Sequence, residues 1–281
     1  MQQPPSLFDR AALDAHRARS AGRDTEAWFL HEQAASLVSE RLEEVNRTFT
    51  EIAVVGWRPE IWGRLGTGVR HIADDELLDL TEASCDLIVH AMALHWANDP
   101  VGQLVQMRRA LKPDGLMIAT FFGGQTLHQL RIALAEAESS VAGGLSPRVA
   151  PMGDIRDLGG LLQRAGFALP VADHVEFNVS YQTPLHLMHD LRAMGETNAL
   201  TGRRRAALRR DVLAAALEAY RTHFADHDDD DGRVMATFDL IFLTGWAPSA
   251  DQQKPLRPGS AQASLAEALG TVEIDPETEG S

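Results

Sequence analysis

The sequence lacks the features of secreted, membrane-spanning and nucleic-acid-binding proteins. Its single cysteine, Cys85, cannot form an internal disulfide and suits a reducing compartment. No run approaches the roughly 18 consecutive apolar residues of a membrane span, and residues 1–19 lack the apolar core of a secretion signal. Acidic side chains outnumber basic ones by 40 to 26, and the resulting net charge of −14 disfavours binding to a phosphate backbone. We therefore expect a cytoplasmic protein with no transmembrane segment and no nucleic-acid partner.

Short catalytic and metal-binding signatures are also absent or weak. The chain has no G-x-S-x-G, P-loop, C-x-x-C or paired-carboxylate pattern. Two histidine pairs, His186 with His189 and His223 with His227, have spacings that could present two imidazoles on one helix face. Such pairs are more often surface residues, so the sequence predicts no metal site.

What the chain does have is an alternation of apolar runs and amphipathic stretches. With 44% hydrophobic and 23% charged residues, it can bury a sizeable core. Continuous or alternating apolar runs predict strands, and apolar residues at helical spacing predict helices. This order predicts an α/β fold with a mostly parallel, doubly wound sheet and helices on both faces. The predicted strands are 52–55, 69–73, 86–89, 116–122, 175–181 and 238–246, and the predicted helices lie within 6–48 and at 101–111, 127–137, 154–164, 184–195 and 203–224.

The same patterns divide the chain into three parts. A basic cluster at 203–205 and 209–210 is interpreted as a solvated helix face, with a docking patch for an acidic protein partner as the alternative. The end of the chain is rich in Pro, Gly, Ser, Gln and Glu, which is typical of a flexible tail. The predicted parts are an N-terminal helical segment (1–48), a sheet domain (49–247) with a helical insertion at about 184–225, and the tail (248–281).

Ligands of doubly wound sheets bind at the carboxyl ends of the strands, where four segments of this chain are predicted to meet. These segments are Gly56, the loop at Asp74, residues 90–96 and the Gly123-Gly124 turn. His95 could serve as a general base if a partner orients it, and Asp99, four residues later, is the candidate partner. The alternative is that His95 is a packed structural residue beside Trp96, which is itself interpreted as a core or lid residue.

Several stretches match one family in particular. The pieces L-K-P-D-G and D-L-I-V occur across many methyltransferases, whereas G-G-x-T-L-x-x-L-R, G-G-x-S-P and M-G-E-T-N are much more specific. The chain resembles, almost from end to end, the assembly factors of respiratory complex I that have an S-adenosylmethionine (SAM) methyltransferase fold, a family with a mitochondrial arginine hydroxylase. It is more distantly similar to the malonyl-carrier-protein methyltransferase of biotin synthesis. The matching stretches are 7–10, 73–80, 85–99, 111–115, 121–131, 143–151, 157–167, 190–199 and 257–264.

The resemblance implies a seven-stranded, Rossmann-like class I methyltransferase fold, SAM as cofactor and a complex I subunit as partner. On this chain it implies that Asp74 contacts the adenine and that Gly56 remains from the glycine loop. We further expect His95 and Asp99 to be catalytic. The other expected cofactor-binding residues are Asp75, His90, Ala91 and Met92, and the expected substrate pocket consists of Leu94, Trp96, Gly123 and Gly124.

The first β-α-β unit departs from the family pattern and is shortened. Trp57, Arg58 and Pro59 follow Gly56 where small residues are usual, and only 12 residues separate Gly56 from Val69. That distance is too short for the usual helix, the second strand and the acid that holds the ribose. Four functions remain open: a SAM-dependent transferase acting on a small-molecule or carrier-protein carboxylate, a hydroxylase of the assembly-factor type, a binding protein that kept the fold without the cofactor, and an enzyme that binds another ligand in place of SAM.

Overall fold

The apolar runs assemble into a six-stranded sheet in the computed structural model, which describes residues 6–22, 26–227 and 231–252. The first four strands run parallel, and the last lies antiparallel between the fourth and the fifth. This arrangement confirms the predicted α/β class with a mostly parallel sheet. The strands are β1 (Ile52–Val55), β2 (Arg70–Ile72), β3 (Cys85–Ala91), β4 (Leu111–Gly123), β5 (Ala168–Tyr181) and β6 (Val234–Trp246), in the spatial order β2-β1-β3-β4-β6-β5.

Within the described residues, the sheet has one strand fewer than the seven that the family resemblance implied. Between β1 and β2 the chain forms only a single helical turn, α3 (Pro59–Trp62), and a 3-10 turn at Gly63–Leu65. Because no strand lies between them in this stretch, β2 pairs directly with β1, and His71 is opposite Val54. The strand that leads into the Asp74 loop is thus the immediate neighbour of β1.

Helices cover both faces of the sheet, as predicted. Leu87 and Val89 of β3 join a core cluster with the helices of one face, whereas Ile88 between them joins a second cluster on the other face. Both faces of β3 are therefore buried, which explains why this strand is continuously apolar. Besides α3, the helices of the described part are α1 (Arg10–Ser20), α2 (Phe29–Glu44), α4 (Pro100–Ala110), α5 (His128–Ala137), α6 (Ile155–Ala165), α7 (Pro184–Ala193) and α8 (Arg210–His223). The first face carries α2, α5, α7 and α8, and the second carries α4 and α6.

The structure divides one predicted helical stretch into two helices and corrects the start of another helix. The helical stretch predicted at 6–48 consists of two helices, α1 and α2, with a 3-10 turn at Glu26–Trp28 before the second. The helix predicted from residue 203 begins only at Arg210. Arg203 instead lies in a loop, where its guanidinium donates to the Leu200 carbonyl and to Asp9. Residues 203–205 of the basic cluster therefore lie in a loop that Arg203 anchors to the N-terminal segment, whereas Arg209 and Arg210 lie at the start of α8.

The ends of the sheet domain are described only in part. Helices α7 and α8 occupy the stretch between β5 and β6 that was predicted as a helical insertion. Most of the predicted tail, residues 253–281, lies outside the described residues. No helix in the ranges given above is both long and apolar enough to cross a lipid bilayer.

Candidate functional site

A cavity of about 730 Å³ opens beside the carboxyl ends of β3 and β4. Its volume lies in the range of small-molecule sites, and its position is the edge at which doubly wound sheets bind ligands. His95 and Glu196 line it with side chains that are only 6% and 7% exposed, which places them at its inner end. Arg192, Arg204 and Arg205 are exposed and mark its mouth. The apolar wall consists of Phe122, Leu127, Leu130, Leu134, Val149, Ala150, Met152, Met188, Leu191, Leu208 and Phe238.

The inner end is organised by the carboxylate of Glu196. One of its oxygens lies 3.0 Å from His95 Nε2 and accepts the indole N–H of Trp96 at 2.8 Å. Burial acts to raise the pKa of Glu196, but the hydrogen bond and charge of His95 outweigh it and hold the pKa below its usual range. Glu196 is therefore an anion at neutral pH. An ionised carboxylate only accepts, so His95 donates from Nε2 and its Nδ1 is the remaining ring nitrogen.

Glu196 is placed by the turn that ends α7. The amide of Glu196 donates to the Leu191 carbonyl at 2.8 Å, and Gly195 has a φ of +75°. Such a turn needs a glycine because a side chain at positive φ is strained. This turn is the M-G-E-T-N stretch that the sequence singled out as family-specific. The motif was recognised, but its glutamate was missed as a site residue because nothing local links it to His95.

The proposed partnership of His95 with Asp99 needs correction. Asp99 caps α4, where its carboxylate accepts the Gly102 amide at 2.8 Å. The carboxylate that bonds His95 is Glu196, which lies 101 residues further along the chain. Asp99 therefore positions the helix that follows the His95 loop and does not orient the imidazole.

The residues expected around the substrate divide between the cavity and the packing. Trp96 lines the cavity and stacks edge-on against Phe8 at 5.1 Å, so it closes one wall. Leu94 packs in the core cluster on the face of the sheet that carries α4 and α6. Gly123 and Gly124 form the turn after β4, where an added Cβ would come within 2.5 Å of Ile241 or 2.1 Å of Asp239. These glycines let β4 approach β6 closely and do not line the cavity.

Asp74, expected at the adenine, is held by two arginines of α1. Its carboxylate oxygens accept from Arg17 Nη1 at 2.8 and 3.0 Å and from Arg10 at 3.2 and 3.3 Å. The side chains of Arg17 and Asp74 are only 6% and 4% exposed. Burial acts to raise the pKa of Asp74. The charge and hydrogen bonds of Arg17 and the charge of Arg10 outweigh this effect, so the pKa of Asp74 is lowered overall. Asp75 is 63% exposed and contacts Arg10 at 3.4 Å.

His90 supports the same loop from beneath. Its Nε2 lies 2.9 Å from Gln103 Oε1, and the side-chain Nε2 of Gln103 donates to the Asp75 carbonyl at 2.9 Å. Burial lowers the pKa of His90 to about 4, so the imidazole is neutral. His90 is thus part of the packing that fixes the acidic loop on α4.

Gly56, Ala91 and Met92 lie where β1 and β3 come together. An added Cβ at Gly56 would sit 2.8 Å from the Ala91 carbonyl oxygen, so glycine is required for close strand packing. The Gly56 amide donates to the Ile72 carbonyl at 2.9 Å, which extends the pairing with β2. Met92 is fully buried and receives a contact from Thr120 Oγ1 at 3.8 Å.

The residues after Gly56 pack against the N-terminal helices. Trp57 meets Trp28 edge-on at 5.1 Å, and the guanidinium of Arg17 lies 5.1 Å from the Trp57 ring. Arg58 stacks on Trp28 at 3.9 Å. The amide of Gly56 and the carboxylate of Asp74 are thus both engaged within the chain. In this arrangement these residues do not fit SAM in the mode that the resemblance implies.

The histidine pairs form no metal centre among the residues that the structure describes. His186 and His189 have ring centroids 6.4 Å apart, and His186 Nδ1 lies 2.9 Å from Thr183 Oγ1. His223 pairs with Glu136 at 3.0 Å. Across the described ranges, no group of three or more His, Cys, Asp or Glu side chains could hold an ion.

This protein has the class I SAM-methyltransferase fold, which is defined by its strand order, its antiparallel last strand and the cavity at the strand ends. A family model described as a methyltransferase domain matches residues 61–119. Among solved structures, the YcgJ protein from Bacillus subtilis is similar, with 14% identity and a TM-score of 0.42 over 70% of this chain and 82% of that one.

Proteins named mitochondrial arginine-hydroxylase NDUFAF5 are much nearer in sequence. The Danio rerio protein is 33% identical over 304 residues, which cover 98% of this chain and 94% of that one. The Homo sapiens protein is 41% identical over 201 residues, or 72% of this chain and 57% of the relative. A malonyl-[acyl-carrier protein] O-methyltransferase of Methylovorus sp. is 32% identical over 74% of this chain and 63% of that one. The chain belongs to the NDUFAF5 arginine-hydroxylase family, as the resemblance implied.

Proposed function

We propose that this protein acts in the cytoplasm on an arginine side chain of a respiratory complex I subunit and hydroxylates it. Arginine hydroxylation is the reaction that gives the family its name, and the family resemblance supplies the partner. One structural observation carries the proposal to this chain: the ionised carboxylate of Glu196 at the inner end of an apolar cavity.

The cavity suits both parts of an arginine side chain, the charged guanidinium and the apolar methylene groups. A guanidinium pairs well with a carboxylate because its planar N–H groups match the carboxylate oxygens. Its three methylene groups can pack on apolar walls such as those formed by Phe122, Leu130 and Met188. His95 Nδ1 is buried without a hydrogen-bond partner among the described residues and lines the same end of the cavity as Glu196. The chain's own residues thus bind and orient the arginine.

The reaction itself needs reagents from outside these residues. Hydroxylation inserts one oxygen atom of dioxygen, and an external reductant supplies two electrons so that the other atom leaves as water. SAM would have to displace Arg10 and Arg17 from Asp74, so the proposed reaction includes no methyl transfer.

The proposal is tested by mass spectrometry of complex I subunits from cells that carry the wild-type protein, Glu196→Gln or no copy. We expect one arginine with the added mass of one oxygen atom in the wild type and its loss in both other strains. A Glu82→Gln strain is the matched control, because Glu82 is an exposed carboxylate away from the cavity. An unmodified subunit set in the wild type, or unchanged modification with Glu196→Gln, would overturn the proposal.

A further inference from the structure

The mouth of the cavity is strongly basic in a chain that is acidic overall. Among the described residues, its lining includes five arginines and two acidic residues, Asp9 and the buried Glu196. The whole chain carries a net charge of −14. A positive rim on such a background attracts anionic groups to this face, whereas the net negative charge of the chain repels them elsewhere. The arginines are Arg148, Arg192, Arg203, Arg204 and Arg205.

Only part of this positive charge is neutralised inside the protein. Arg148 pairs with the buried Glu138 at 2.6 Å, and Arg203 pairs with Asp9 at 2.9 Å. Arg205 lies 3.9 Å from the same Asp9 and is 80% exposed, so it shares a carboxylate that is already engaged. Within the described ranges, Arg192 and Arg204 have no ion-pair partner, and both are exposed.

The basic surface continues beyond the cavity. A second concavity of about 430 Å³ is lined by His16, Arg19, Arg192 and Thr197. Arg192 and Thr197 line both concavities, so the two adjoin along this edge. Together they form a groove whose volume exceeds that of one side chain. The additional volume leaves room for the residues that flank an inserted arginine.

We propose that the partner segment bound here carries acidic residues beside the arginine that enters the cavity, and that Arg192 and Arg204 select it. This inference rests on the proposed function, because it names the sequence context of the same substrate. The arginine would reach Glu196 at the inner end while the flanking carboxylates meet the mouth. Charges at such a rim contribute mainly to specificity and to the rate of encounter.

The test uses an array of overlapping peptides that covers the complex I subunits of the same organism, probed with the full chain. We expect the bound peptides to contain an arginine with Asp or Glu close to it. For the tightest of them in solution, Arg192→Glu/Arg204→Glu should weaken binding by about tenfold or more, since two attractions become repulsions. Arg164→Glu is the matched control, because Arg164 is exposed on α6 and does not line the groove.

Two further readouts separate charge recognition from a loss of folding. Binding to the wild type should weaken as salt is raised, and this salt dependence should shrink in the double variant. The double variant should also prefer a peptide whose acidic residues are replaced by lysine, which a misfolded protein would not do. Equal binding whatever the flanking charge would overturn the inference and leave the proposed function standing.

The remaining outcomes are equally decisive. Glu196→Gln and replacement of the peptide arginine could each leave binding unchanged while Arg192→Glu/Arg204→Glu still weakens it. That result would overturn the proposed function and support the recognition of acidic residues by the basic mouth. Binding of no peptide, with saturable binding of laurate instead, would overturn both in favour of a small amphipathic anion.

Discussion

Replacing Asp74 by asparagine should destabilise the folded protein by about 3–5 kcal/mol, the cost of leaving a buried charge without its partner. Arg17 and Asp74 are 6% and 4% exposed and 2.8 Å apart, so neither charge can be solvated when the other is lost. For a domain of this size, the change corresponds to a fall in Tm of roughly 10 °C. The assay is urea unfolding, with a lower midpoint and an unchanged slope.

The neighbouring residue provides the control. Asp75 is 63% exposed and meets Arg10 at 3.4 Å, so Asp75→Asn should cost less than about 1 kcal/mol. The two variants differ by one position and remove the same charge. Equal stability of Asp74→Asn and the wild type would refute the conclusion that Asp74 is bound within the chain, and would favour a role in holding a ligand.

Acid should remove the difference between Asp74→Asn and the wild type. The arginines hold the pKa of Asp74 below 3.8, its ordinary value. A carboxylate with a lowered folded pKa stabilises the protein above the unfolded pKa and loses that contribution as pH falls through the folded one. The stability gap should therefore be complete near neutrality and shrink below 3.8.

Three other changes test neighbouring parts of the account. Gly56→Ala should lower the unfolding free energy by about 1–3 kcal/mol, because the new Cβ would lie 2.8 Å from the Ala91 oxygen; an unaltered urea midpoint would contradict this. Glu196→Ala should cost about 1–3 kcal/mol for each buried donor left unpaired, with the loss visible by calorimetry near neutrality and fading below 4.5, since the folded pKa of Glu196 is lowered from that value. His31→Phe should stabilise the protein, increasingly so as pH falls from 6.5 towards 4, because burial lowers the pKa of His31 to about 4 and the unfolded chain takes up the proton first; a gap that does not widen in acid would count against it.

The elements that the sequence predicts well are those with local signals. The helix predicted after Asp154 is present as α6, with the Asp154 carboxylate bonded to the Arg156 amide and Gly166 ending it at a φ of +80°. Both signals depend on residues within one turn of the helix end. The buried character of β3 was likewise visible from its uninterrupted apolar run, because a strand buried on both faces leaves no place for polar residues.

The site depends on contacts that no local pattern shows. Arg17 and Asp74 are 57 residues apart, and His95 and Glu196 are 101 residues apart. Each pair forms only because α1 and the end of α7 pack onto the strand ends. Asp99 was the nearest carboxylate to His95 in sequence, but as a helix cap its oxygen is already used by the Gly102 amide.

Photo-crosslinking from inside the cavity tests the central claim most directly. A photoreactive residue would replace Met188, which lines the cavity, or Leu42, which lines a separate depression on α2. If the cavity receives a partner's arginine, the Met188 position should crosslink to an arginine-containing segment of a complex I subunit, and the Leu42 position should not. Crosslinks of equal yield from both positions, or none from Met188 in cells assembling complex I, would contradict the account.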